Sequence, residues 1–197
     1  MSNRYQFFTR AFTRKGLFQL FMVCAFPIHV WAIIMAFRDF SWVAERTNTW
    51  DAVGLFSYAV VFALVETLGV FLIMFLIGLF MPNGWDAEKR LALLGTLFLT
   101  LAVWAVLGQV YSMNGYSLPQ WIVDFLVRSS HPFRFIWGGV FLSVGISVAV
   151  PVIFILRLEK GKKAVIEIFD RITMLSSLYI LFDIAGIVVL VMRNVRI

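Results

Sequence analysis

The chain has 197 residues, of which 61% are hydrophobic and only 14% charged, with a net charge of +6. Soluble domains hold roughly 45–50% apolar and about 25% charged residues, so the composition excludes a water-soluble globular protein and reads as an all-α integral membrane protein. A single cysteine, Cys24, excludes a disulfide framework or a CxxC redox or zinc motif within the chain. Lying in an apolar segment, it reads as a small buried hydrophobe.

The length fits one domain, residues 1–197, since no linker, low-complexity tract or repeat divides it. At the N-terminus Phe8 and Phe12, and likewise Arg10 and Arg14, lie one helical turn apart. They predict a basic anchor at the membrane surface, with a short amphipathic surface helix as the alternative. Residues 17–37 form the first predicted span, retained because its apolar run is long enough to cross and lacks a small-x-small cleavage site.

The second span, residues 52–81, is longer than about 30 Å of hydrocarbon requires, which predicts tilt or an end that projects. It stops at Pro82-Asn83-Gly84, turn chemistry followed by the charged run from Asp86 to Arg90. The third span covers residues 91–111. In the following loop Trp121, Ile122, Phe125 and Leu126 oppose Gln120, Asp124 and Arg128, which predicts a short surface helix after Pro119. The fourth span is residues 135–156. Residues 157–171 then place Val165, Ile168, Phe169 and Ile172 opposite Lys162, Lys163, Glu167 and Asp170, which predicts a separate interfacial helix. The fifth span is residues 172–192. The expected fold is thus a five-helix transmembrane bundle with short interfacial helices.

Basic residues divide unequally between alternate sides: eleven of the 17 precede span 1 or lie in the loops after spans 2 and 4, and six lie on the other side. Cytoplasmic loops retain Lys and Arg, so the N-terminus is expected inside and the C-terminus outside, in a bacterial inner membrane or an equivalent one. The dispersed charge forms no compact patch interleaved with aromatics, so nucleic acid is not an expected partner.

Membrane helices associate through small residues repeated at helical spacing. Gly139, Ser143, Ser147 and Pro151 make such a row and predict that span 4 is central. Ala25, His29, Ala32 and Ala36 form a row in span 1. Ala59, Ala63, Glu66, Thr67, Val70 and Gly78 do so in span 2, and Ser176, Tyr179, Asp183 and Gly186 in span 5. In span 3, Thr100 is expected to bond back to its own helix and Trp104 to fill a gap.

His29, Glu66 and Asp183 are ionisable groups inside apolar spans, where such groups are functional candidates by default. At 1.5 Å per residue His29 and Asp183 lie about 12–13 Å from the same side, and Glu66 reaches that level if span 2 is tilted. Together they are a candidate proton or cation site, weighed against a purely structural hydrogen-bonded clasp.

No HExxH, GxSxG, Walker A or GxGxxG motif occurs. His131 is expected at a different depth from His29, against bis-histidine haem ligation. No cofactor, metal or catalytic group is therefore expected. The first expectation is a non-catalytic subunit or interaction component of a membrane complex or homo-oligomer, with lipid, other membrane subunits or itself as partners. The second is a small channel or transporter using Glu66, Asp183 and His29, and the third is an intramembrane lipid-modifying enzyme.

Overall fold

The computed structural model describes residues 12–82, 84–115 and 117–195. These contain α1 (Arg14–Arg46), α2 (Thr49–Leu79), α3 (Ala87–Met113), α4 (Gln120–Arg128), α5 (Pro132–Arg157) and α6 (Glu159–Val195), with no strand among the described residues. All but α4 are long and apolar enough to cross a membrane.

Local chemistry sets the helix starts. Thr13 caps α1, its hydroxyl accepting from the Gly16 amide at 2.9 Å. Asn48 caps α2 by accepting from Asp51, and Asp86 caps α3 by accepting from Lys89 at 2.6 Å. Pro132 opens α5 at a position where the missing N–H is no loss. Only Thr47 and Asn48 separate α1 from α2, so the two run as an antiparallel hairpin.

The helix hub is α1, which packs against α2, α3 and α6. Its apolar core lies toward the end of the bundle marked by Arg90, where Leu20, Val23 and Cys24 meet Met74, Leu91, Leu94, Phe98 and Phe169. Gly95 on α3 leaves the space that the Phe169 ring fills. Near the opposite end, marked by Arg193, Gly186 brings α6 close to the α2 backbone: an added Cβ would lie 3.2 Å from the Ser57 carbonyl oxygen.

Two expectations are corrected. The fourth span, α5, is peripheral: Ile155 is its one buried residue among those described, and a Cβ at Gly139 would meet nothing within 4 Å. Small residues permit close packing but do not supply the opposing helix, and α5 meets α3, α6 and the short α4 only along one side.

The segment 157–171 is not a separate interfacial helix. Leu158 alone interrupts the helices, and α6 then runs unbroken from Glu159 to Val195. Its apolar stripe is used inward, with Phe169 buried in the core and Val165 and Ile166 packed against it. The basic segment before α1 lies outside the described residues up to position 11. Phe12, however, is buried against Gly78 and Phe75.

Candidate functional site

The helical period places Ala25 and His29 of α1 one turn apart, and Tyr179 and Asp183 of α6 likewise. His29 is 1% exposed and Asp183 4%. The imidazole Nδ1 lies 2.9 Å from the Ala25 carbonyl oxygen, and Nε2 lies 3.1 Å from Asp183 Oδ1. The Tyr179 ring stacks on the imidazole with centroids 5.2 Å apart and planes inclined by 6°.

These contacts assign the protons. A carbonyl only accepts, so Nδ1 carries hydrogen and donates to Ala25. Between Nε2 and Oδ1 a hydrogen bond then needs one further proton. It resides either on the imidazole, giving an ion pair, or on the carboxyl, giving two neutral groups. Both forms are neutral overall, which lets the pair stay buried without a stray charge.

Glu66 does not join this pair. Ala63 and Thr67 occupy the buried row of α2, with the Thr67 hydroxyl donating to the Ala63 carbonyl at 2.7 Å. One residue away is about 100° around a helix, and Glu66 accordingly is exposed, without a hydrogen bond or ion pair to any described residue. It lines a groove of about 680 Å³ between α1, α2 and α3, with Trp31, Met35 and Phe98 among its walls and Gln109 as the other polar side chain.

The predicted small-residue row also divides. Ser147 is half-buried and accepts a 2.8 Å hydrogen bond from Trp104 Nε1, while its own hydroxyl donates to Val144. Trp104 thus ties α5 to α3 by a polar bond as well as by bulk. Gly139 and Ser143 are exposed in a groove beside α4, and Pro151 is half-buried. Thr100 donates to its own helix at the Thr96 carbonyl.

Several polar ties had no clear signal in the sequence. Arg90 is 2% exposed and donates to the carbonyls of Gly78, Pro82 and Trp85, at 3.2, 2.8 and 3.3 Å. It closes the C-terminal end of α2, where orphan carbonyls and the helix dipole favour a cation. Gln19 donates to Asp170 at 2.6 Å, a second tie between α1 and α6. At the far end Arg193 bonds the Asp51 carboxylate at 2.7 Å and the Trp50 carbonyl, with Gly54 leaving room for the guanidinium. Such pairs depend on which helices become neighbours, and charge counting records them only as loop charges.

Lys162 bonds Asp86 and Glu159 at 3.1 and 3.2 Å. Burial works to raise the Asp86 carboxyl, but the Lys89 amide and the Lys162 ammonium outweigh it and hold the group below its ordinary value. Ser176, two turns from Asp183, is buried, and its hydroxyl has no partner among the described residues. His131 is exposed in the turn before α5 and bonds Ser130. Among the described residues no cluster of three or more His, Cys, Asp or Glu side chains could hold a metal ion.

Compared with known protein families, with curated proteins and with solved structures, the chain matches none. Its own geometry is therefore the basis for a functional reading.

Proposed function

We propose that this chain is a multi-pass integral membrane protein acting as a non-catalytic subunit or interaction component of a membrane assembly. The observation that carries the reading is Glu66: a carboxylate near the middle of an apolar helix, exposed and without an intrachain partner among the described residues. In hydrocarbon such a group costs several kcal/mol unless something else pairs or wets it. A second polypeptide relieves that cost. The exposed small-residue surface of α5 supports the same reading, because Gly139 and Ser143 would let another helix approach closely.

The basic-residue asymmetry supports an N-terminus in the cytoplasm and a C-terminus outside, as in a bacterial inner membrane. In that orientation α4, with Trp121 73% exposed, rests at the outer interface, where tryptophan is favoured. Extraction in mild detergent followed by native mass measurement tests the reading. The expected result is a defined assembly at fixed stoichiometry; a folded, lone monomer in the membrane as well as in detergent overturns it.

The transport alternative rests on the single proton shared by His29 and Asp183. Liposome flux that depends on Asp183 would favour it over the structural role. For lipid chemistry the two spanning carboxylates would have to act as acid and base on one substrate, and Glu66 stands apart from Asp183, exposed where the latter is enclosed.

A further inference from the structure

The groove at Glu66 has a shape and a charge that specify its occupant. A narrower channel lined by Ala32, Ala36, Ala59 and Ala63 leads from Asp39 to Glu66 and shares Ala32, Met35 and Glu66 with the larger groove. The two form one trough along α1 and α2. It extends from Pro27 to Asp39 on α1, about 18 Å, and from Leu55 to Ile73 on α2, about 27 Å. Glu66 lies about 25 Å from the Thr49 end of α2 and about 20 Å from the Leu79 end, near mid-depth.

From these features, and resting on the subunit reading above, we infer that the trough receives a transmembrane helix of a different polypeptide, one with a Lys or Arg at mid-span that pairs with Glu66. The length of the trough favours a helix as occupant, since it follows several turns of α1 and α2, with the half-buried Ala32 and Ala59 along it and Ala36 and Ala63 buried beneath. The depth disfavours an upright lipid, whose head group sits at the interface and not at the bilayer centre.

Charge distinguishes a different chain from a second copy. Most described Lys and Arg residues of this chain lie near helix ends or in loops; Arg38 and Arg171, farther inside α1 and α6, pair with Asp39 and Glu167, and the one mid-span histidine, His29, is buried and bonded on both nitrogens. A second copy therefore brings no unpaired mid-span cation to Glu66. A cation from another chain would convert an isolated carboxylate into a charge-assisted pair sealed from lipid. Gln109, toward the α3 end of the trough, adds a polar contact.

The full-length chain in liposomes, titrated with a synthetic leucine–alanine transmembrane peptide bearing one central lysine, tests the charge requirement by energy transfer. The peptide should bind wild type and Glu66→Asp, bind Glu66→Gln about tenfold more weakly, and lose the same preference when norleucine replaces its lysine. Equal binding by the lysine and norleucine peptides, or by wild type and Glu66→Gln, overturns the inference. Circular dichroism of Glu66→Gln verifies that its fold is intact.

In cells, a photocrosslinker at the exposed trough residues Phe62 or Ile73 should capture a span with a basic residue in its middle third. Capture of a span without one, or of a second copy, overturns the inference and leaves the subunit reading standing. Capture of lipid alone, together with a monomeric mass, overturns both.

Discussion

Two carboxylates sit inside long apolar helices, and their surroundings differ. Asp183 lies buried in the seam between α1 and α6 and shares a proton with His29, whose ring stacks on Tyr179. Glu66 lies at the groove between α1, α2 and α3, exposed and without a partner among the described residues. The same functional group is thus used in two ways. In the seam it holds this chain together; in the groove it is available to something outside it.

The largest expected effect tests the seam. Asp183→Ala should destabilise the purified protein by about 3 kcal/mol, because it strands the imidazole in a buried site. Asp183→Asn should lose about 1 kcal/mol, since its amide can donate to Nε2 of a neutral imidazole. Unfolding by heat or denaturant in detergent measures both, and equal losses would break the proton-sharing account.

Next is Arg90→Met, expected to destabilise by about 2 kcal/mol by depriving carbonyls at the end of α2 of their donor. Arg90→Lys should recover part of this, because an ammonium reaches fewer of the carbonyls than the guanidinium fork does. If both variants match wild type in unfolding, the clamp contributes nothing and the seam stands alone.

A smaller effect is set by pH. Asp86 is held below its ordinary value, so its contribution is present above the unfolded carboxylate value and disappears as pH falls through the folded one. The pair with Lys162 is largely open on the carboxylate side, which limits the contribution to about 0.5 kcal/mol. Lys162→Met should make stability fall less steeply as pH drops below the ordinary carboxylate value of about 4, measured by thermal unfolding in acid; an unchanged acid limb would remove Lys162 from the account.

The smallest expected effect sharpens the contrast most. Glu66→Gln should leave the stability of the isolated chain within about 0.5 kcal/mol. A large loss in the same unfolding assay would mean that Glu66 supports this fold, and the division between seam and groove would fail.

His29 and Asp183 were legible as a pair because depth and helical face are both one-dimensional properties, readable from residue spacing along each span. Glu66 passed the same depth argument yet faces elsewhere. Its row mixed positions that differ by about 60–100° around the helix axis, and only neighbouring helices decide which part of such a row is covered. The row at Gly139 misled for a related reason: compatibility with close packing says nothing about which helix arrives.

What the residues determine by themselves is the class of structure. Runs of about twenty apolar residues are long enough to cross a bilayer, and turn chemistry at Pro82 or a capping side chain at Asn48 and Asp86 bounds them. The tertiary structure alone decided that α1 is the hub and α5 the edge, that Arg90 closes α2, and that Glu66 is left outside. Hydropathy is nearly uniform around these helices, so it marks where each one runs but carries little information about which side meets a neighbour; specific packing and polar pairing supply that choice.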